Sequence, residues 1–465
     1  MKKNLIAAAS VAILSSVLLA ACTTPEAVQE SKITTPDAWT RLSKSEAALA
    51  TTDAVEIEQN WWKSFNDPAL DRLIGRALSN NKSLQIAAAR VAEAEAGLSS
   101  SQANLLPNIS GSGGVSRGNQ GYATSNQSVT VKEGYVQASW ELDLFGKNQA
   151  RVRQAGALAQ SEEAQRQAVM VSLLSDVART YFDVRNDQEQ IRITKANLET
   201  QQKTLDLIKA QREGALSSQL DISRSTAQVA TTSAQLPALQ AAFETASNRL
   251  NLLLGETPGT VDAELAQGQG LPALKDKVLV AAPAKVLANR PDVRAAERQF
   301  AASLSAREAA TKEFFPTVSL AGLFGVQDSS YFYSRPWSGA ASLTTPIFDF
   351  GRIEADIDAA DARQKQAFLT YQETVLEAVT DMEDALSLYL HDNTRQRDLT
   401  LAADQNKKAV ELATQQYRAG YSALLDLLVA QQSELDAESS LANSEAQLRK
   451  DLVHIYAAAG GGWSL

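Results

Sequence analysis

Along most of the chain, apolar residues recur at helical spacing. From Lys147 to Arg212 no proline interrupts and the one glycine is Gly156, while Arg352 to Arg418 has neither. If helical throughout, each stretch would be about 100 Å long. In the first, Met170, Val177, Val184, Ile191, Leu198 and Leu205 repeat every seven residues, with Leu174 and Tyr181 at the alternate position. In the second, Val375, Val379, Met382, Leu386 and Tyr389 form a similar seam. A narrow heptad seam on so long a helix predicts coiled-coil packing, not burial in a globular core. The other faces carry Gln, Asn, Ser, Thr, Lys and Glu, as a wall wetted on at least one side requires.

Between Pro107 and Phe145, and between Pro316 and Phe350, the period changes to two. Val318, Leu320, Gly322, Phe324 and Val326 alternate with Thr317, Ser319, Ala321, Leu323 and Gly325; Trp337, Gly339, Ala341 and Leu343 alternate with Ser338, Ala340, Ser342 and Thr344. The pattern predicts hairpins over 108–144 and 317–349, with turns at Gly118-Asn119-Gln120-Gly121 and Asp328-Ser329-Ser330. Each strand is about ten residues, the length a tilted transmembrane strand needs. A soluble sandwich or hairpin pair is the competing reading of the hairpins alone.

The two halves repeat one plan. Asn80-Asn81-Lys82-Ser83-Leu84 leads to Leu105-Leu106-Pro107, and Asn289-Arg290-Pro291-Asp292-Val293 leads to Phe314-Phe315-Pro316, 209 residues later. Further on, Phe145-Gly146, Asp221 and Leu254-Gly255 recur as Phe350-Gly351, Asp426 and Ala459-Gly460, 205 residues later. Identity between the halves is low, so order and spacing carry the repeat. The chain divides accordingly. A first repeat, 58–255, holds a helix, hairpin 108–144, long helix 147–212 and helix 216–254. A linker, 256–283, precedes a second repeat, 284–465, with a helix, hairpin 317–349, long helix 352–418 and helix 422–459.

The N-terminus adds a compartment. Lys2 and Lys3 precede an apolar and small-residue run from Leu5 to Ala21, an export signal over 1–21. It ends Leu19-Ala20-Ala21-Cys22, which resembles a bacterial lipobox, so Cys22, the one cysteine of the chain, is expected to carry acyl chains in a membrane leaflet. Thr23 in place of an aspartate favours the outer membrane. Residues 22–57, rich in Thr, Ala, Ser and Glu, read as a tether. A single cysteine excludes a disulfide scaffold and Cys-based metal sites. Two histidines, His391 and His454, leave little for His-based catalysis or metal binding. With 44 Lys+Arg against 54 Asp+Glu, no basic excess exists to neutralise nucleic-acid phosphates.

Four strands cannot close on themselves, and an open edge is not tolerated in lipid, so strands that span require several copies. Two copies give eight strands and a filled barrel; three give twelve and an open lumen. The long helices are too polar for the same membrane and would extend the barrel into the periplasm.

Several motifs resemble outer membrane factors of tripartite efflux systems, in the lipoprotein branch serving resistance-nodulation-division pumps. They are Trp61-Trp62 with Phe65, Asp67-Pro68 and Leu70; Trp140-Glu141-Leu142-Asp143-Leu144-Phe145-Gly146; Asn289-Arg290-Pro291-Asp292; Phe314-Phe315-Pro316; Pro346-Ile347-Phe348; and Tyr456 through Gly460-Gly461-Gly462-Trp463. The resemblance runs from Cys22 to Trp463. It implies a mainly helical protein with a β-barrel part: a homotrimer forming a twelve-stranded barrel, a twelve-helix periplasmic tunnel and a mixed equatorial domain. It further implies passive export of drugs or other small molecules delivered by a proton-driven inner-membrane transporter and a periplasmic membrane-fusion adaptor.

The same resemblance places the working residues at the helix ends farthest from the membrane. Arg212 and Gly214 in one turn, and Arg418 and Gly420 in the other, match tips that contact the adaptor. Tyr417 matches a gate tyrosine and Asp221 the aspartate it bonds, although Asp221 lies seven residues after Gly214 where six is usual. Asp426 matches a position able to form a ring of carboxylates around a threefold axis, which would repel one another and attract cations. Helix capping by Asp221 and Asp426 is the plainer role for both. No catalytic constellation, nucleotide loop or metal site is found, and no cofactor is expected beyond the lipid on Cys22. The competing functions are a lipid-anchored periplasmic coiled-coil scaffold without a pore, or a duct for metal ions or type I protein secretion.

Overall fold

The computed structural model describes residues 36–40, 42, 49–51, 59–118, 128–214, 216–266, 270–274 and 278–463. The signal over 1–21, Cys22, most of the tether and the turn residues Asn119-Gln120-Gly121 lie outside the described residues. In chain order the elements are β1 (Leu49–Thr51), α1 (Pro68–Asn80), α2 (Lys82–Ala103), β2 (Asn108–Gly118), β3 (Val129–Leu142), α3 (Lys147–Glu213) and α4 (Gln219–Leu254). They continue as α5 (Asp262–Leu265), β4 (Val278–Val280), α6 (Pro283–Asn289), α7 (Pro291–Thr311), β5 (Thr317–Ser329), β6 (Tyr333–Ser334), β7 (Trp337–Thr344), α8 (Arg352–Arg418) and α9 (Leu424–Ala458). Short 3-10 turns at Trp61–Phe65 and Lys312–Phe314 lead into α1 and β5.

Helix α3 and helix α8 are each 67 residues long, about 100 Å of continuous helix. Each starts where a strand hands over through a left-handed glycine, Gly146 (φ 75°) or Gly351 (φ 82°). A preceding aspartate closes the turn. Asp143 accepts from the backbone N–H of Asn148 and Gln149, and Asp349 from Gly351 and Ile353. The second hairpin is therefore shorter than 317–349: β7 ends at Thr344, and the chain then turns toward Asp349 to set the helix N-terminus.

The partner helices also start later than expected, at Gln219 and Leu424. Polar capping at Ser218 and backbone pairing at Ala423 hold the residues before them in extended conformation. The seam on α3 follows Met170, Leu174, Val177, Tyr181 and Val184, all buried, but is then interrupted. Ile191 and Leu198 are half-buried, while Gln190, Thr194, Asn197 and Gln201 are buried. Leu205, the last member of the repeat, is buried again, and Gln190 and Asn197 lie on another side of α3, facing α9. There α3 meets α9 through polar pairs: Gln190 Nε2 to the Ser439 carbonyl at 2.9 Å, Asn197 Nδ2 to Glu438 at 3.1 Å, and Gln431 Nε2 to Thr204 Oγ1 at 3.0 Å.

The main core joins both repeats. Leu70, Leu73 and Ile74 of α1, Leu174 and Phe182 of α3, Leu250 and Leu254 of α4, Met382 and Leu386 of α8, and Leu452 and Ile455 of α9 are buried together. Trp61 stacks on Tyr456 with ring centroids 5.5 Å apart, and Phe65 meets Phe182 at 5.0 Å. Part of the expected tether is docked here: Trp39 is buried and donates to the Ala281 carbonyl at 2.8 Å. Nearby in sequence, β1 pairs in parallel with β4 of the linker.

Both hairpins form one antiparallel sheet in the order β2-β3-β5-β7, with the short β6 continuing on β5. The register pairs Val136 with Gly111 and Phe324, and Phe324 with Trp337. One face is accordingly apolar or small: Ile109, Gly111, Val115, Val136, Ala138, Leu320, Phe324, Val326, Trp337 and Leu343. The other presents Ser110, Ser112, Glu133, Tyr135, Gln137, Ser139, Ser319, Gln327, Ser338 and Ser342. Among the apolar members, Ile109, Val115, Val136, Phe324, Trp337 and Leu343 are exposed, and β2 and β7 each leave an edge unpaired within the chain. An apolar exposed face with two open edges is a section of wall. Among the described residues no helix is long and apolar enough to cross a membrane.

Candidate functional site at the helical tips

The two helical turns remote from the sheet build a small site. Helix α3 runs out at Glu213, and the chain folds back with Leu216 N–H on the Gln211 carbonyl at 2.8 Å and Ser217 Oγ on the Ile208 carbonyl at 2.9 Å. Arg212 donates to the Ser217 carbonyl at 3.0 Å, bracing its own loop. At the other tip α8 ends at Arg418, Gly420 takes φ 78°, and Tyr421 N–H returns to the Gln416 carbonyl at 2.8 Å. Arg418 is exposed. Between the turns Ile208, Leu424 and Leu428 are buried together, with Ile222 and Tyr417 packed against them.

Each sequence-derived gate residue has a definite place. The Tyr417 hydroxyl donates to Gln211 Oε1 at 2.8 Å. Burial first, and then the negative charge of Asp221, push its pKa up. Asp221 is near enough to be felt but is not the bonded partner, contrary to what the resemblance implies. Its carboxylate is occupied by Ser218, accepting from the backbone N–H at 3.0 Å and from the hydroxyl at 2.7 Å, while Ser218 Oγ accepts from Asp221 N–H at 3.1 Å. This reciprocal box holds the Asp221 pKa below the usual carboxylate range. Asp426 caps its own helix less completely: it accepts from Ala423 N–H at 3.2 Å, and alanine has no side-chain acceptor to return.

The turns thus bring Tyr417 to Gln211 within one chain and leave Asp221 and Asp426 each on its own helix start. Gln211 and Ser218 were not singled out by the sequence. Ser218 carried a usable signal, a serine three residues before an acid at the start of a helical run; Gln211, one glutamine on a helix rich in them, carried none. Cys22 lies outside the described residues. Among the described residues no group of three or more His, Cys, Asp and Glu is placed to hold a metal.

A wall of sheet continued by paired long helices, with turns that end in a tyrosine and two helix-capping carboxylates, defines the class, and comparison with known proteins agrees. The chain matches the outer membrane efflux protein family over residues 73–256 and 282–461. It belongs to that family. It is 32% identical over 470 residues to the pyoverdine export outer membrane protein OpmQ of Pseudomonas aeruginosa, covering 97% of this chain and 96% of that one. It is 31% identical over 427 residues to nodulation protein T of Rhizobium leguminosarum, covering 90% and 87%. The solved outer-membrane channel OprN superposes with a TM-score of 0.85 at 31% identity, covering 95% of this chain and 100% of that one. The protein is therefore an outer-membrane efflux channel of the Gram-negative envelope, the exit duct of a tripartite pump that works with an adaptor and an inner-membrane transporter. Its family and solved neighbours are channel proteins, not enzymes.

Proposed function

We propose that three copies join β2 of one to β7 of the next, closing twelve strands into a barrel, while the long helices and their partners assemble into a periplasmic tunnel. The supporting observation is the sheet itself, with one exposed apolar face, one polar face and two open edges. In this reading acyl chains on Cys22 anchor each copy, and the protein conducts without catalysis or cofactor. It passes drugs or other small molecules handed over by a resistance-nodulation-division transporter. Arg212, Gly214, Arg418 and Gly420 meet the adaptor. Tyr417, Asp221 and Asp426 set the constriction at the tunnel mouth, with Tyr417 held by Gln211 while the mouth is narrow.

Planar-bilayer conductance tests the gate. Tyr417→Ala removes both the ring packed on Ile208 and the bond to Gln211, and Asp221→Ala frees the start of α4. Each is expected to raise single-channel conductance about two- to fivefold, because the mouth dominates the resistance of a tube. Asp426→Asn should instead reduce preference for cations at nearly constant size. Unchanged conductance in both alanine variants removes the gate from these residues.

A further inference from the structure

The hairpin stretches 108–144 and 317–349 contain only three basic residues, Arg117, Lys132 and Arg335, and residues 119–127 between the first two strands carry no charge. The register puts Arg117 and Lys132 on one face and at one end, and Arg335, in the short connection between β6 and β7, is tied to Tyr333 at that same end. Lys132 pairs with Val115 on one side and Asp328 on the other, and Arg117 follows Val115 by two residues on the same face. Asp328 pairs in turn with Tyr333. Arg335 Nε donates to the Tyr333 hydroxyl at 3.3 Å, and its guanidinium lies 5.8 Å from that ring's centre. This is the apolar face, at the end remote from the helices, just beyond Phe324, Val326 and Trp337. The strand carboxylates Glu133 and Glu141 sit on the opposite, polar face, so Asp328 is the one acid among the three cations. All three basic side chains are exposed.

Strand cations placed only for solubility would fall on both faces and along the whole length of the strands. Here they follow the apolar band and an aromatic border, as at the headgroup level of a bilayer, where long basic side chains reach from apolar surface to phosphate. Guanidinium groups bond phosphate oxygens in pairs, and a lysine adds a point charge. We propose that Arg117, Lys132 and Arg335, with Tyr333, form a rim that binds the phosphate groups of anionic lipid in the outer leaflet. The inference rests on the reading of the apolar face as the lipid-facing side of a barrel.

The test uses the full-length oligomer in phosphatidylcholine nanodiscs containing either a diphosphorylated glycolipid, lipid A, or its dephosphorylated form, with retained lipid counted by native mass spectrometry. The intact protein is expected to retain the phosphorylated form preferentially, by roughly fivefold for each cation engaged. The combined variant Arg117→Gln, Lys132→Gln, Arg335→Gln should lose that preference while keeping its conductance. Should the combined variant not assemble, Arg335→Gln alone, outside the strand ladder, should still lower the preference about fivefold. Equal retention by variant and parent, or no preference in the parent, overturns the proposal, as does displacement of the glycolipid by inorganic phosphate alone, which would make this a free-anion site. Conductance of the parent separates the two readings: a conducting oligomer without lipid preference defeats the rim and spares the barrel, whereas no conducting oligomer defeats the barrel.

Discussion

Asp67→Ala is expected to lower stability by about 3 to 5 kcal/mol, the range for removing one partner from a buried charged network. Asp67 is buried and accepts three donors: Ala69 N–H at 2.9 Å, Leu70 N–H at 3.4 Å and the Tyr181 hydroxyl at 2.5 Å. Tyr181 accepts in turn from Arg185 Nε at 3.0 Å, and both Tyr181 and Arg185 are buried. Burial, reinforced by the bond to Asp67, pushes the Tyr181 pKa up, so the phenol stays a donor. One carboxylate therefore caps α1, fixes α1 to α3 and balances a buried guanidinium. Alanine loses all three roles, whereas Tyr181→Phe loses two hydrogen bonds but leaves both charged groups in place, and should cost about 2 to 3 kcal/mol. The readout is the temperature at which the detergent-solubilised oligomer dissociates. A shift for Asp67→Ala no larger than that for Tyr181→Phe would mean that Arg185 is balanced elsewhere.

This network also shows what a sequence can and cannot disclose. The Asp67-Pro68 pair announces a helix start, since proline fits the first turn and aspartate caps it, and α1 begins there. The two long helices and the strand alternation were legible because their periods persist over many residues. Where the period is weak the reading fails. Ile191 and Leu198 keep the heptad spacing yet are only half-buried, although Leu205 is buried as the repeat predicts, and Gln190 and Gln201 are buried on another side of α3, polar residues that no apolar pattern can flag. Trp39 is one aromatic in a stretch of Thr, Ala and Ser, and only the surface that receives it, with the Ala281 carbonyl, reveals that it docks.

The tip residues lie between these cases. Their positions followed from glycines that end helices, but the partner of Tyr417 depended on loop geometry. Ser218 closes a capping box on Asp221, and Gln211, near the end of α3, receives the phenol instead. Spacing located the site, and local hydrogen-bond competition decided its contacts.

The same competition, acting on protons, gives the second large effect: the oligomer should be more stable at pH 5 than at pH 8. Asp451 of α9 is buried, with Oδ1 accepting from Gln447 Nε2 at 2.7 Å and Oδ2 buried without a donor. Burial, opposed by Gln447 and His454 and helped by the facing Asp392 of α8, pushes its pKa up to about 7. Nearer the tips, burial followed by the charge of Glu438 lifts Glu434 to about 7, with Glu411 adding to the rise and Lys407 opposing it. Both folded-state values lie above those of an unfolded carboxyl, so between about pH 4 and 7 the folded chain holds more protons than the unfolded one. Stability therefore falls as pH rises through that window and levels off above it. Between pH 5 and 8 a carboxyl raised this far accounts for about 2 to 3 kcal/mol of that fall. Other titrating and charged groups lie close by, since His454 bonds Asp381 at 2.8 Å, Arg290 bonds Asp381 at 2.8 Å, and Lys450 bonds Asp183 at 2.8 Å. Asp451→Asn isolates the carboxyl pair from them. Its amide supplies a permanent donor where Asp451 needs a proton, so the variant should dissociate at a higher temperature than the parent at pH 8 and lose much of the pH 5 to 8 difference. An undiminished difference in that variant would place the titration on Glu434, and Glu434→Gln would then be expected to remove it.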